Sequence, residues 1–461
     1  MLMIVFDVVG LLLVCASSLS LAYFVWKWNS DGRYTWRAAK YELIHGSTHV
    51  YVSGAAGTGK TKLIAELTKK RGGCIVLAPT ALAAYTVGGS TIHSFFRFPP
   101  KTLLPGTTKP ESSVKDLLSN VETIVIDEVS MVRVDVMDAI DRALRRYRSK
   151  EEVYGGMRMV FVGDLMQLPP VVTQDDEPAL REHYSGNMFY NAPGMHSIPM
   201  SFFELKKVHR QPDKKFANVL NKIRHGVQTD SDLGIINSRI VSTQAAASES
   251  NVLTVVFRNS NANHINQVAL DQLSGDVVVS QTVYEGNATD KSVPCENLLR
   301  FKLNARIAFI NNDPKKNWCN GTLGEIVAIK DASNVVVLTR SGQEIDVPRI
   351  EFPVWEYINR NGVVERVEVG SATQFPFKLA WAITAHKAQG QTFDRVHIDI
   401  DDDRAFADGQ MYVALSRCRT LADLSISRKI RTPEIMVSKE SMEYLNTLRS
   451  QQGLCGIGAR H

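Results

Sequence analysis

Cysteine is scarce in this sequence, and its cysteines stand far apart. The 461 residues contain six of them and no C-x-x-C pair: Cys15, Cys74, Cys295, Cys319, Cys418 and Cys455. This spacing indicates neither a disulfide framework nor a zinc site, and it fits a reducing compartment. Internal repeats and low-complexity tracts are also lacking. Because 44% of the residues are hydrophobic and 22% are charged, we expect two or three globular domains rather than a fibrous or disordered chain.

A strong excess of one charge is missing too. Lys and Arg total 53 against 48 Asp and Glu, which gives a formal net charge of +5. This weak basic bias permits nucleic-acid binding without arguing for it, because the placement of the cations decides. The densest basic run, residues 142–150, follows a helical stretch. It is interpreted either as a solvated helix face or as a phosphate contact.

Basic residues are absent before the one long apolar run, residues 8–26, whereas Lys27, Arg33 and Arg37 follow it. At about 1.5 Å per helical residue, this run is long enough to cross roughly 30 Å of hydrocarbon. The charge asymmetry predicts a single-pass membrane anchor at residues 1–28, with the N-terminus outside and the bulk of the chain facing the cytoplasm. A signal peptide, a misplaced start, or an apolar segment in a soluble cytoplasmic or nucleoid protein are the alternatives.

Beyond that run, short apolar strand-like segments alternate with helical stretches. Their continuous, β-branched character is typical of parallel strands that are covered on both faces. The pattern predicts an α/β fold whose ligands bind at the carboxyl ends of the strands. The clearest of these segments are residues 49–53, 74–78, 122–127 and 157–163.

Composition shifts divide the chain further. Residues 97–110 contain four prolines and little periodicity, which is typical of a surface loop. Short, turn-rich strands between about 296 and 372 predict a small inserted β-barrel. The expected organisation is an anchor (1–28), a first α/β unit (29–200) with a loop or pin (97–118), a second unit (201–295 and 373–430) interrupted by the barrel (296–372), and a tail without recognisable chemistry (431–461).

A phosphate-binding loop lies between a predicted strand and a predicted helix. Its sequence GAAGTGKT matches G-x-x-x-x-G-K-[ST], in which glycines let backbone N–H groups surround phosphates at a helix N-terminus. Lys60 is expected to reach the β- and γ-phosphates of ATP, and the Thr61 hydroxyl to ligate Mg²⁺. The predicted ATP-binding residues of the loop are Gly54, Ala55, Ala56, Gly57, Thr58, Gly59, Lys60 and Thr61.

Polar residues follow two further predicted strands. Asp127 and Glu128 come directly after Thr-Ile-Val-Ile, so Asp127 is predicted to hold Mg²⁺ and Glu128 to activate the attacking water. Gln167 lies in Gly-Asp-Leu-Met-Gln-Leu-Pro-Pro after the fourth strand, where its amide can sense the γ-phosphate. These three residues and the loop predict a nucleoside triphosphatase.

The order of the remaining motifs makes the prediction more specific. The chain resembles the Pif family of superfamily 1 DNA helicases (type B, RecD-like), in particular its short bacterial-type members. The resemblance spans residues 48–430 and is carried by residues 78–84, 88–96, 126–131, 163–170, 205–211, 315–324, 374–381, 385–392 and 412–419.

The resemblance implies two RecA-like domains with ATP between them. On this basis Arg210 and Arg417 are expected to reach the γ-phosphate from the second domain, and Gln389 and Gly390 to line the same cleft. Cations that arrive as the cleft closes would couple hydrolysis to domain motion.

The resemblance also implies a path for single-stranded DNA across both domains. Hydroxyls and imidazoles would contact phosphates, Phe95 would stack on a base, and the 97–110 loop would act as a wedge, with the barrel as a clamp. His93, His386 and Phe95 have an alternative reading as internal residues. The family-matched candidates are Thr80, His93, Ser94, Phe95, Thr384, His386 and Lys387.

The implied function is a monomeric DNA helicase that uses ATP and Mg²⁺, moves 5′→3′ and opens forked DNA in replication, repair, recombination or telomere and genome maintenance. An RNA helicase and a membrane-tethered scaffold with ATP-switched affinity are the alternatives. Three features depart from the family pattern, and one of them is the hydrophobic N-terminus, which is foreign to the usual soluble form of the family. No Gln lies between Lys27 and Gly54 to read adenine, and Arg258 stands where a Thr is expected.

Overall fold

The computed structural model describes residues 33–106, 113–249, 252–401 and 404–451. In this part of the chain, no helix combines the length and the apolar character that crossing a bilayer requires. The predicted anchor, residues 1–28, lies outside the described residues and stays a prediction.

The N-terminal half forms one parallel sheet with helices on both faces. Its strands are β1 (His49–Gly54), β2 (Cys74–Ala78), β3 (Ser90–Thr91), β4 (Thr123–Ile126), β5 (Arg158–Gly163) and β6 (Met200–Leu205). Its helices are α1 (Arg33–His45), α2 (Lys60–Lys70), α3 (Ala81–Val87), α4 (Ile92–Phe96), α5 (Ser113–Leu118), α6 (Val134–Tyr147) and α7 (Glu177–His183). Because β4 and β5 are buried at every position, they lie in the middle of the sheet.

The strand order in this sheet is β3-β2-β4-β5-β1-β6, and every pair is parallel. Strand β6 pairs with β1 over its whole length, so that Met200 faces His49 and Leu205 faces Gly54. The predicted domain boundary at residue 200 is therefore wrong, because the first unit continues through Leu205. By pairing its backbone with β1, strand β6 covers the edge that β1 would otherwise expose.

The basic run of the sequence belongs to the end of α6. Arg145 donates to Asp141 at 2.9 Å, and Arg142 pairs with Asp138, both four residues earlier. Both carboxylates are buried beneath the helix. These two arginines therefore form ion pairs within α6, with the aspartates one turn earlier.

The next segment leads into the second parallel sheet. It contains helices α8 (Lys214–Arg224), α9 (Asp230–Asn237), α10 (Thr243–Ser248) and α11 (Asn259–Gln272), with strand β7 (Leu253–Val256) before α11. Asp213, Thr229 and Ser242 cap the first three of these helices, since each side chain accepts from a backbone N–H of the first turn.

Antiparallel strands follow. They are β8 (Val278–Gln281), β9 (Val283–Gly286), β10 (Leu298–Phe301), β11 (Arg306–Phe309), β12 (Leu323–Asp331), β13 (Asn334–Thr339), β14 (Glu344–Pro348), β15 (Ile350–Arg360), β16 (Val363–Gln374) and β17 (Phe377–Leu379). They form sheets of order β14-β13-β12-β11-β17, β15-β16-β9 and β10-β8. The antiparallel part thus runs from Val278 to Leu379, which corrects the predicted bounds 296–372; the barrel itself stays a prediction.

The chain then returns to the second sheet through β18 (Ala382–Thr384), α12 (Ala385–Ala388), β19 (Val396–Ile398), α13 (Gln410–Leu415) and β20 (Leu424–Ile426), and it continues into α14 (Lys439–Gln451). All pairs of this sheet, of order β18-β7-β19-β20, are parallel. The α/β class with parallel sheets is confirmed.

The β15–β16 hairpin reaches back to the first unit. The backbone N–H of Val76 donates to the Tyr357 hydroxyl at 3.0 Å. Arg97 forms an ion pair with Glu356 at 2.7 Å. The hairpin therefore bridges the antiparallel region and the first sheet.

The predicted surface loop at residues 97–118 is partly an interior element. Phe98 and Leu103 belong to the core of the first unit. The backbone N–H of Leu103 donates to Asp135 at 2.8 Å, and Arg142 donates to the Leu103 carbonyl at 2.7 Å. Phe98 and Leu103 are therefore interior, whereas Pro100 and Lys101 between them are exposed, and the wedge role of the loop stays a prediction.

The segment predicted to be a tail without recognisable chemistry, residues 431–461, contains α14, which packs on the first unit. Leu445 and Leu448 enter its core, and Tyr444 stacks on Tyr190 with ring centroids 4.3 Å apart. Arg449 pairs with Glu204 at 2.6 Å. The chain thus crosses from the second sheet back to the first.

A buried ion pair joins the two units. Asp164, which follows β5, accepts from Arg224 at the end of α8 at 2.6 Å, and both side chains are almost fully buried. Burial alone would raise the pKa of Asp164, but the Arg224 guanidinium lowers it below its usual value. The stability from this carboxylate is therefore present above its unfolded pKa, near 4, and is lost as the pH falls through the lower folded value.

Asp164→Asn is expected to lower the free energy of unfolding by about 3–5 kcal/mol, because it leaves the Arg224 charge buried without its partner. Urea denaturation at neutral pH measures this. Removal of the exposed Arg181–Glu177 pair by Arg181→Gln is the control, expected to cost less than about 1 kcal/mol. Equal, small losses of unfolding free energy in both variants would show that the Asp164–Arg224 pair does not join the two units as proposed.

Leu445→Ala is expected to cost about 2–5 kcal/mol of unfolding free energy, because it opens a cavity in the core of the first unit. Thermal and urea unfolding measure the loss. Glu443→Ala, on the exposed face of the same helix, should change stability by less than about 0.5 kcal/mol. A Leu445 variant as stable as the Glu443 variant would show that α14 does not hold the first unit.

Candidate active site between the two parallel sheets

A cavity of about 1940 Å³ lies between the carboxyl end of the first sheet and the loops of the second. It brings together most of the residues predicted to act on ATP and DNA. Those that line it are Ala56, Gly57, Thr58, Gly59, Lys60, Thr61, Thr80, Asp127, Glu128, Gln167, Arg210, Thr384, His386, Lys387, Gln389 and Gly390. Gly54 and Ala55 lie just beneath this surface, at the start of the loop.

The phosphate loop has the predicted strand–loop–helix form. Gly57 and Gly59 have φ angles of 77° and 94°, a conformation that favours glycine. Lys60 donates to the carbonyls of Gly54 at 2.7 Å and Ala55 at 3.2 Å. Burial lowers the pKa of Lys60, although Asp164, Glu128 and Asp127 oppose this effect. The ammonium group thus lies inside the loop, where phosphate oxygens can replace the carbonyls.

Two adjacent carboxylates face this loop. Burial, and then the neighbouring Glu128, raise the pKa of Asp127 to about 7. Glu128 is in the left-handed region with φ 49°, which directs its side chain across the cavity to Gln389 Nε2 at 3.2 Å.

These residues fit a magnesium ion. The carboxylate of Asp127 and the Thr61 hydroxyl both face the cavity, and Mg²⁺ prefers one or two such oxygens together with substrate phosphates. The described residues hold no cluster of three or more His, Cys, Asp and Glu side chains that would suit another metal. A cation would also offset the burial and the repulsion by Glu128 that together raise the Asp127 pKa.

Arg210 connects the loops of the two units. Its Cβ lies so close to the phosphate loop that a Cβ on Gly57 would clash with it. Its guanidinium donates to the carbonyls of Gly390 at 3.2 Å and Gln391 at 3.4 Å, and burial lowers its pKa. Arg210, which is predicted to reach the γ-phosphate, therefore already lies beside the phosphate loop.

Arg417 is placed differently from its prediction. It is fully buried, and its guanidinium donates to the carbonyls of Val413, Ala388 and Gln391 at 2.6, 3.0 and 3.1 Å. It does not line the cavity, whereas Arg419, two residues later, does. In this structure Arg417 supports the 388–391 backbone, and the direct γ-phosphate contact assigned to it stays a prediction.

The predicted DNA contacts divide into two groups. Thr384, His386 and Lys387 line the cavity beside Thr80 of the first unit. His93, Ser94 and Phe95 do not line it. Phe95 is buried with its ring edge-on to Phe96 and Tyr357, so base stacking by Phe95 is wrong. The aromatic run of α4 serves the core instead.

His93 is half-buried against Phe98, with ring centroids 6.4 Å apart. Burial lowers the pKa of its imidazole, although the Asp135 carboxylate opposes this. The neutral ring therefore suits an internal position better than a phosphate contact. The internal reading of His93 is the one that its surroundings support.

Sequence reasoning missed three residues that shape the site: Asp164, Arg224 and Trp36. The predicted Gln167 is buried and donates to Asp164 at 3.3 Å, so the Asp164–Arg224 pair positions Gln167. Trp36 of α1 lines the cavity beside the phosphate loop. Asp164 lies inside the motif that contains Gln167, which was a usable signal, whereas nothing local in the sequence marks Arg224 or Trp36.

Comparisons with known proteins agree with this geometry. The PIF1-like helicase family matches residues 37–233. The ATP-dependent DNA helicase Pif1 of Bdellovibrio bacteriovorus is 31% identical over 407 residues, which cover 85% of this chain and 86% of that one. Its counterpart from Campylobacter jejuni is 31% identical over 84% and 90% of the two chains.

Solved structures give the same result. Bacteroides sp Pif1 in complex with ADP-AlF4 is 32% identical, with a TM-score of 0.82 over 90% of this chain and 97% of that chain. The unliganded Bacteroides sp Pif1 is 34% identical, with a TM-score of 0.79 over 88% and 94%. With its two parallel sheets around one nucleotide-binding cleft, this chain is an enzyme that belongs to the Pif1-like helicase family.

Proposed function

We propose that the chain is an ATP-driven DNA helicase that moves 5′→3′ along single-stranded DNA and opens forked duplexes. The observation that carries the proposal is the single cavity that Lys60, Asp127 and Glu128 share with Arg210 and Gln389. Residues separated by more than 300 positions in the chain thus face one triphosphate site. Such an activity serves DNA replication, repair, recombination or telomere and genome maintenance.

The chemistry follows from the polar groups of the first unit. The loop amides and Lys60 bind the β- and γ-phosphates. Thr61 and Asp127 would hold Mg²⁺, which neutralises phosphate charge when it is bound. Glu128 orients the attacking water and accepts its proton, while Gln167 donates to the γ-phosphate or to that water.

Coupling to motion follows from the bonds across the cavity. Arg210 donates to the Gly390 and Gln391 carbonyls, and Gln389 donates to Glu128. These bonds are 3.2–3.4 Å long, and an anionic γ-phosphate can compete with the carbonyls for the Arg210 guanidinium and with Glu128 for the Gln389 amide. Binding and loss of the γ-phosphate would thereby change how the 388–391 loop meets the phosphate loop.

The same loop continues into the proposed DNA path. Thr384 accepts from the Lys387 N–H at 3.3 Å and begins the short helix α12, which carries His386 and Lys387. A shift of the 388–391 segment therefore moves the DNA-facing residues directly. One related structure is described as Bacteroides Pif1 bound to ssDNA, and another as DNA unwinding at forked dsDNA by two coordinating Pif1 helicases. This supports single-stranded and forked DNA as partners here.

Strand displacement on tailed substrates tests the proposed polarity. We expect unwinding of DNA with a 5′ single-stranded tail and none with a 3′ tail, and Lys60→Ala should remove unwinding and hydrolysis together because the phosphates lose their ammonium partner. RNA substrates form the parallel arm. Unwinding restricted to RNA would favour an RNA helicase, and ATP-dependent DNA affinity without turnover would favour a scaffold.

Arg210→Ala is expected to lower DNA-stimulated ATP turnover by about 10³-fold or more, because an arginine at the transferred phosphoryl group supplies charge in the transition state. Steady-state kinetics measure the turnover. Nucleotide affinity, measured separately, is expected to stay within about threefold of that of the unmodified protein. The contrast is Arg417→Ala, whose main effect should be a lower melting temperature, since Arg417 is interior. Normal turnover in Arg210→Ala would refute its proposed role.

Lys387→Ala is expected to weaken single-stranded DNA binding and to reduce the slope of log K against log salt by about 0.7, the loss of one phosphate contact. Fluorescence anisotropy at several salt concentrations measures both. Lys115→Ala removes an exposed lysine that does not line the cavity and should leave the slope unchanged. The same slope in both variants would place the DNA path elsewhere.

A further inference from the structure

An aromatic side chain stands on the wall of the cavity beside the phosphate loop. Trp36 of α1 is half-buried and lines the cavity. Its indole Nε1 lies 3.4 Å from the position of a Cβ on Gly59, the residue that caps α2. The indole ring therefore adjoins the point where the phosphate loop turns into its helix.

The position of this ring is well defined. Trp36 packs on the apolar cluster between α1 and α2, which includes Ala39 and Leu63. Lys40 and Glu66 form an ion pair at 2.7 Å that links the same two helices. A ring held in this way loses little conformational freedom when a ligand stacks on it.

Cations surround the ring. The ammonium groups of Lys40 and Lys62 lie 5.6 and 5.7 Å from the ring centroid. Lys62 is exposed and directly follows Thr61, at the end of the phosphate loop. A nucleotide whose phosphates occupy the loop would extend its sugar and base past this residue, towards Trp36.

The side chains that α1 presents to the cavity are donors only. These are the indole N–H of Trp36 and the guanidinium of Arg37. To select adenine over guanine through its amino group, a site needs an acceptor, which a carboxamide such as Gln would provide. The sequence has no Gln between Lys27 and Gly54.

We propose that Trp36 binds the nucleotide base by stacking, so that the motor accepts purine triphosphates without selecting adenine. Every base has a π-face, and stacking therefore contributes affinity without reading the base edge. This inference rests on the proposed function only in placing the triphosphate in the phosphate loop. It extends the substrate class of the site from ATP to purine nucleoside triphosphates.

Equilibrium binding of ATP, GTP and inorganic tripolyphosphate to the full chain tests the proposal. In the unmodified protein, GTP should bind within about threefold of ATP. In Trp36→Ala, both nucleotides should bind about tenfold more weakly, equivalent to about 1.4 kcal/mol, whereas tripolyphosphate, which has no base, should bind unchanged. Trp36→Phe should restore most of the nucleotide affinity, because it keeps an aromatic face.

Intrinsic fluorescence gives a second readout. ATP or GTP should quench tryptophan emission in the unmodified protein and much less in Trp36→Phe. Trp355→Phe, in the β15–β16 hairpin outside the cavity lining, should keep the quenching.

Three results would overturn the proposal: unchanged nucleotide affinity in Trp36→Ala, an equal loss of tripolyphosphate affinity, or a tenfold preference for ATP over GTP in the unmodified protein. Failure of the helicase proposal is distinguishable from these. It would appear as absent DNA-stimulated turnover or absent unwinding, while the binding measurements still report on Trp36.

Discussion

The buried ion pair between Asp164 and Arg224 is the constraint on which the active site depends. It ties the end of β5, in the first sheet, to the end of α8, which packs on the second sheet. Asp164 also positions Gln167 and is the largest of the charges that oppose the lowered pKa of Lys60. One carboxylate thus fixes the spacing of the two units, orients a predicted phosphate sensor and supports the charge of the phosphate loop.

The bonds that cross the cavity above this pair are weaker. The Gln389–Glu128 and Arg210–Gly390 bonds are each 3.2 Å long, whereas the segment that carries Arg210 is held to the phosphate loop by the bond from the His209 N–H to the Gly57 carbonyl at 2.8 Å. A firm base with exchangeable contacts at the mouth suits a cleft that opens and closes around a ligand. Arg417 belongs to the firm part, because its guanidinium is committed to the backbone carbonyls of the second unit.

Two late segments of the chain return to the first unit and limit how it can move. The β15–β16 hairpin contacts β2 through the Tyr357 hydroxyl, and α14 places Leu445 in the first core. These attachments hold the hairpin and α14 against the first unit. The 388–391 loop is held to its own unit by Arg417, and it meets the first unit through the longer bonds of Arg210 and Gln389. On the proposed function, these longer bonds are the ones that a nucleotide would replace.

The amino-acid sequence by itself determined the α/β class, the phosphate loop and the Asp127–Glu128 pair, because strand periodicity and glycine spacing are local properties. It could not decide the extent of the first unit, the core position of Phe95 and Leu103, or the packing of α14, since these depend on which distant surfaces meet. The sequence also could not show that Arg419, and not Arg417, lines the cavity, because only packing decides which of two nearby arginines is buried. Arg224 and Trp36 carry no local signal at all, and the tertiary structure alone brings them to the site.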